Sequence, residues 1–433
     1  MALPFPLSDL LAILPELILS ELALGILLWA AVVKRERERA LAWASLASLA
    51  IAAALLPVAA SFAGEVPRWA FGGMIALDGG WLFFKALTLL AAAVTILFSL
   101  RFVGTSPYPG GEYYALLLLT TVGMMFMASG THLVSIYVAL ELMALSQYVL
   151  AGYFKQETKS VEAAAKYFVL GAFSSGVLLY GLSLVYGATG TLSLGGVSAA
   201  LEAAPRSTLL MVGVVLVACG MLFKVASAPF HVWAPDVYEG APTPVSAFFA
   251  VGPKLAAYAI FARIFFDGFG PRSDDWAPVL AASAALTMVV GNVGALMQTN
   301  VKRLLGYSSI GHAGYALLGL LAYRAGGAAG QPEAFGLGRG RLLVDELLQD
   351  LAVEPQLLQQ LRVEVAAVRG TVGLHLRVVD AGEVGRRNHA IVHPGHRAPG
   401  RDGGRAGGPA GRPPSRCRCR GSGRAGRRRR ARR

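Results

Sequence analysis

Charge is scarce in this sequence. Only 15% of its 433 residues are Asp, Glu, Lys or Arg, while 55% are hydrophobic and mean hydropathy is +0.55. That balance excludes an ordinary soluble chain and places this one among membrane proteins. Cysteine is rarer still, with Cys219 in an apolar run and Cys417 and Cys419 in an arginine-rich end. Three cysteines so placed supply neither a disulfide framework nor zinc-ligand spacing. The opening "MALPFPLSDLLAILPELILSELALGILLWAAVVKRERER" lacks a basic leading region and a small-residue cleavage site. Its apolar run is also too long for a signal peptide, so it reads as a retained first span. Lysine is absent beyond residue 331, and tryptophan beyond Trp276.

The net charge of +13 is unevenly placed. Residues 1–331 carry 18 Lys+Arg against 17 Asp+Glu, whereas residues 332–433 carry 21 arginines against 9 acidic residues. The basicity therefore belongs to the tail, and no nucleic-acid partner is expected for the rest. Within the tail, "LLVDELLQDLAVEPQLLQQLRVEVAAV" has the pattern of a soluble amphipathic helix with Pro355 as a break. The remainder is Arg/Gly/Pro low complexity and is expected to be largely disordered. Such a bias is what a GC-rich gene yields when read out of frame. We prefer that reading to a genuine basic extension for anionic lipid or RNA.

What is abundant is long apolar sequence. Runs near the ~17–25 residues that cross a bilayer occur at 10–33, 40–62, 79–103, 113–129, 132–153, 162–187, 208–228, 244–266, 277–297 and 304–323. They predict an all-α polytopic membrane protein of about ten transmembrane helices, since barrel strands would be shorter and alternating. Residues 1–331 thus form a transmembrane domain and 332–433 a separate tail. With the N-terminus on the non-cytoplasmic side, cytoplasmic loops carry Lys34, Arg35, Arg37, Arg39, Arg101, Lys155, Lys159, Lys302 and Arg303. The opposite loops carry only Arg68, Arg206, Arg263, Arg272 and Arg324. The positive-inside bias favours that orientation.

Four lysines remain within or at the edge of spans: Lys85, Lys166, Lys224 and Lys254. A charge there is a functional-site candidate whose partner has to be named. Glu141 lies mid-span in "THLVSIYVALELMALSQYVLAGY" with no basic residue near it in sequence. Lys224, in "VACGMLFKVASAPFHVWAPDVYEGAP", is its candidate partner, with a purely structural clamp as the competing reading. Pro229 and Pro235 follow Lys224 and break the seventh helix. The backbone they free is tolerated only inside protein or beside a hydrated cavity. His231, just past the break, suits a proton relay or a structural hydrogen bond. Lys254 is a second buried lysine one helix further on. Glu162 and Lys166 stand i, i+4, which fits a local surface pair as well as a functional one. His312, in "YSSIGHAGY", is a further polar position, and His132 reads as structural. No metal site and no nucleotide site is expected, because the glycines of "GLGRGR" lack a strand–turn–helix setting.

These stretches resemble a known family. "FKVASAPFHVWAPDVYEGAPTPVSAFFAVGPKLAAYAIFAR", "SVEAAAKYFVLGAFSSGVLLYGLSLVYGATGT", "LELMALSQYVLAGY" and "NVKRLLGYSSIGHAGYALLGL" are similar to the antiporter-like subunit N family of the bacterial proton-pumping NADH:quinone oxidoreductase, respiratory complex I. The wording "PDVYEGAPTPV" sets it apart from the sister subunits, and the resemblance covers about residues 10–337. It implies proton translocation in a membrane arm, with NADH and quinone handled elsewhere and no cofactor bound here. The implied partners are other membrane-arm subunits and the lipid bilayer, in a bacterial inner membrane. Glu141 and Lys224 match the pair that gates proton loading, Lys254 the central lysine of the eighth helix, and His231 the histidine after the break. The family has fourteen helices in two inverted five-helix repeats with flanking helices. This chain supplies ten and lacks the exit lysine, so the expected fold is a truncated inverted-repeat one. Two other readings remain: a stand-alone cation/proton antiporter module, or a non-pumping scaffold.

Overall fold

The computed structural model describes residues 6–32, 38–63, 68–105, 110–203 and 206–327. The tail expected at 332–433, its disorder and its reading frame lie outside the described residues, as do Lys34, Arg35 and Arg37. The chain runs through α1 (Leu7–Ala12), α2 (Leu14–Val32) and α3 (Glu38–Ala63) into a hairpin of β1 (Arg68–Ala70) and β2 (Ile75–Leu77). Then come α4 (Gly79–Thr105), α5 (Gly110–Ser129), α6 (Leu133–Ala151), α7 (Thr158–Thr189), α8 (Leu194–Ala203), α9 (Thr208–Lys224) and α10 (Trp233–Gly240). The described part closes with α11 (Thr243–Ala262), a π-helical turn at Arg263–Gly268, α12 (Ser273–Leu296) and α13 (Val301–Gly327).

Among the described residues, nine helices are long and apolar enough to cross a membrane. They coincide with nine of the ten spans expected from sequence. The tenth, α9, has 17 residues. At 1.5 Å per residue that is about 26 Å, short of a ~30 Å hydrocarbon core. The crossing is completed by α10 after a gap, which is the discontinuous seventh helix. The protein is a multi-pass membrane protein.

Enclosure ranks the helices. In α11 and α5, 83% and 78% of the span window is buried, against 28% in both α2 and α12. The first two are therefore the axis of the bundle. Small residues bring backbones together where side chains would not fit. At Gly123 of α5 an added Cβ would lie 2.7 Å from the Met143 nitrogen of α6, the close approach that small residues permit between membrane helices.

Ion pairs at the helix ends follow the weave of ten crossings. Arg68–Asp9 (3.6 Å) and Arg206–Asp275 (3.0 Å) join loops of one face, and Lys155–Glu112 (3.7 Å) and Lys159–Glu239 (2.8 Å) join loops of the other. The β-hairpin, invisible in the hydropathy pattern, closes one of these loops. Its turn uses positive φ at Gly72 and Gly73. The Phe71 amide donates to Asp9 Oδ2 at 2.7 Å, which ties the hairpin to α1.

Candidate proton-transfer site at the broken helix

The site is built around the end of α9. Beyond Lys224 several of the freed backbone groups are given partners by neighbours. Trp233 Nε1 donates back to the Phe223 carbonyl at 3.1 Å. The Ala228 amide donates to Thr287 Oγ1 at 2.8 Å, and Ser283 Oγ donates to the Ala228 carbonyl at 2.7 Å. Ser227 joins the same pair of α12 hydroxyls. An unpartnered amide at this depth would cost several kcal/mol, so α12 is what makes the break tolerable.

Pro235 corrects the sequence reading. It does not break the helix but sits third in α10, where the first-turn N–H groups have no intrahelical acceptor to lose. Pro229 lies inside the gap, with His231 two residues on.

Lys224 and Glu141 do not form a direct ion pair among the described residues. Lys224 Nζ instead donates to Ser175 Oγ of α7 at 3.3 Å. Glu141 still acts on Lys224 through space, and its Oε1 is buried without a hydrogen-bond partner. The two groups are thus neighbours that leave each other's lone pairs and protons unengaged. Their surroundings are aromatic. Tyr148 packs edge-on against Tyr167 (4.7 Å between centroids), and Tyr167 stacks on Trp233 at 4.6 Å. Tyr167 also donates to Gln147 Oε1 at 2.7 Å. This ladder ties α6 and α7 to the first residue of α10.

Lys254 lies on the axial helix α11 and is 8% exposed. Its ammonium donates to the Ser309 carbonyl at 2.7 Å and to Ser309 Oγ at 2.6 Å. His312, three residues along α13 on the same side, packs its ring against Tyr315 at 5.8 Å. Lys254 and the partly buried Lys224 are thus held alike, each by a serine from a different helix and neither by a carboxylate. His132 is the residue before α6, and burial pushes its imidazole below the usual histidine range.

Glu162 and Lys166 form the expected local pair at 2.7 Å, but Lys166 also reaches Asp236 Oδ2 at 2.7 Å. Arg303 takes the other oxygen of Asp236 at 2.5 Å and Glu239 Oε2 at 3.3 Å. Sequence reasoning missed Asp236 and Glu239, although both stand in the quoted "APDVYEGAP"; two carboxylates beside a helix break were the available signal. It also missed a buried pair, Glu16 with Lys85, both with fully buried side chains, where the ammonium lies 4.5 Å over the Trp81 ring. No group of three His, Cys, Asp or Glu among the described residues is arranged to hold a metal ion.

The geometry has its counterpart in comparisons with known proteins. Residues 130–331 match the family model described as NADH:quinone oxidoreductase/Mrp antiporter, TM. The chain is 44% identical over 333 residues to NADH-quinone oxidoreductase subunit N of Trichlorobacter lovleyi, covering 75% of this chain and 66% of that one. It is 46% identical over 318 residues to the subunit N of Rhodospirillum rubrum, covering 73% and 65%. The chain belongs to this family. Its fold also matches a chain of respiratory complex I from Thermus thermophilus with a TM-score of 0.59, at 38% identity over 71% of this chain and 64% of that one. It spans slightly less than two thirds of the length of these relatives. The matched family segment contains Glu141, Lys224, His231, Lys254 and Ser309, so the whole candidate site lies inside it.

Proposed function

We propose that this chain is a proton-translocating membrane-arm subunit of an NADH:quinone oxidoreductase. On this reading residues 1–331 are the channel unit, and other subunits of the complex carry out NADH oxidation and quinone reduction. No cofactor is assigned to this chain. The observation that carries the reading is the pair of enclosed lysines on successive crossings, held by Ser175 and Ser309 rather than locked to a carboxylate. A lysine held by a hydroxyl can change its proton without stranding a buried anion. Glu141, close by with a bare oxygen, is the loading partner. Movement of Glu141 relative to Lys224 changes the field at the ammonium and drives its proton toward Lys254. His231, in the gap between α9 and α10, is the relay group of the break.

Reconstitution tests this directly. In vesicles containing the assembled complex, NADH-driven proton transport with Glu141→Ala is expected to fall by about tenfold or more, in the range of a lost proton-transfer group. The purified chain alone should add no cation or proton flux to empty vesicles. Flux from the chain alone would favour the stand-alone antiporter reading. Normal transport with Glu141→Ala would leave the chain a scaffold.

We further place the N-terminus on the non-cytoplasmic side of a bacterial inner membrane, on the strength of the arginine and lysine bias between loops. Single cysteines at Arg37 and Lys159 are expected to react with an impermeant maleimide only from the cytoplasmic side, and one at Arg206 only from outside. The opposite pattern would invert the orientation.

A further inference from the structure

We propose that Asp236 is a positioning residue: its carboxylate, shared between α7 and α13, sets where those helices present Ser175 to Lys224 and Ser309 to Lys254. The proposal rests on the proton-transfer reading above. Each Asp236 oxygen is taken by a different helix, Oδ2 by Lys166 of α7 at 2.7 Å and Oδ1 by Arg303 of α13 at 2.5 Å. One turn later Glu239 repeats the grip, accepting from Lys159 of α7 at 2.8 Å and from Arg303 at 3.3 Å. Lys302 adds a bond from α13 to the Ala241 carbonyl at 2.8 Å. Asp236, Glu239, Lys159, Lys166 and Arg303 line a cavity of about 200 Å³.

With a cation on each oxygen, Asp236 is a fixed charge and not a proton carrier. What it fixes is a short element. α10 has eight residues and begins at the gap in the broken helix; its apolar face is buried in the core, and this network fixes its charged face against α7 and α13. The same two partner helices carry the lysines' hydroxyls further along. Ser175 is nine residues beyond Lys166, about 13.5 Å at the helical rise, and Ser309 six beyond Arg303, about 9 Å. A rigid helix passes a shift at one end to the other. The Lys224–Ser175 bond, at 3.3 Å, is already near the long limit of a hydrogen bond. A further 1 Å of misplacement in a proton-transfer geometry can cost on the order of 10²-fold.

The test uses the assembled complex in vesicles and NADH-driven proton transport, with assembly followed on native gels. Asp236→Asn should lower transport about tenfold while the complex still assembles, and Asp236→Glu should keep at least half of it. Combining Asp236→Asn with the Ser175→Ala/Ser309→Ala double variant should lose no more than the worse of the two, because both act on the same two lysine–serine contacts. Multiplying losses would show a general structural role and overturn the proposal. Should Asp236→Asn fail to assemble, Lys166→Met removes one side of the clamp at a half-exposed residue and must lower transport in its place. Lys224→Ala run in parallel separates the two ideas. If that variant stops transport while Asp236→Asn, or Lys166→Met in its place, does not, the clamp is wrong and the site reading stands. If Lys224→Ala transports normally, it is the site reading that fails.

Discussion

Lys224→Ala is expected to leave NADH-driven proton transport about a hundredfold or more below wild type, in the ~10²–10⁴-fold range of a removed proton-transfer group. The complex should still assemble. The substitution deletes the ammonium that donates to Ser175 beside Glu141 and Tyr148, and it removes no backbone cap. Those caps come from Thr287, Ser283 and Trp233, so the break should survive. Lys224→Arg is the sharper comparison. It keeps the charge but replaces a proton-releasing group by one that stays protonated at any working pH, so it should transport as poorly as the alanine variant. Ser175→Ala, which removes only the hydrogen bond, should fall between. Quenching of a pH-sensitive dye in inverted vesicles, normalised to NADH oxidation, reads all three. Wild-type quenching with Lys224→Arg would mean that the charge matters and its proton does not.

The crossings were legible because hydropathy has one period and one length scale. All ten spans correspond to helices, with ends shifted by a few residues where Gly, Pro or a loop charge decides the terminus. Glu141, Lys224 and Lys254 were legible for the same reason, as isolated charges in apolar runs. Partnerships were not. Lys224 and Ser175 are 49 residues apart and Asp236 and Lys166 are 70 apart, and no pattern in a single sequence couples such positions. Ser175 and Ser309 look like ordinary small membrane residues until a lysine is found pointing at them. Pro235 was misread because proline marks either the end of a helix or its first turn. Only the position of Trp233, folded back onto Phe223, settles which. The three-residue strands β1 and β2 are too short for alternation to register against the apolar background.

Glu16 and Lys85 lead to the second large effect. The pair ties α2 to α4, with both side chains fully buried, and Lys85 rests on the face of Trp81. Burying two charges is costly, and their attraction repays it only while both are present. Removing one strands the other in hydrocarbon-like surroundings, with a loss of about 3–5 kcal/mol. Lys85→Met and Glu16→Leu are therefore each expected to reduce the yield of folded chain sharply and to lower its unfolding midpoint in detergent. The double variant replaces the pair by groups of similar shape and should return to within about 1 kcal/mol of wild type, since apolar replacements of buried pairs are often neutral or better. α2 has only 28% of its span window buried, and beside its packing on α3 and α5 the buried pair is its ionic tie to α4. A double variant as unstable as the singles would mean that the pair does more than hold α2 in place. The charges would then be needed for their own sake, next to the Arg263–Asp78 bridge (2.8 Å) that anchors the far end of α11 on the same side of the bundle.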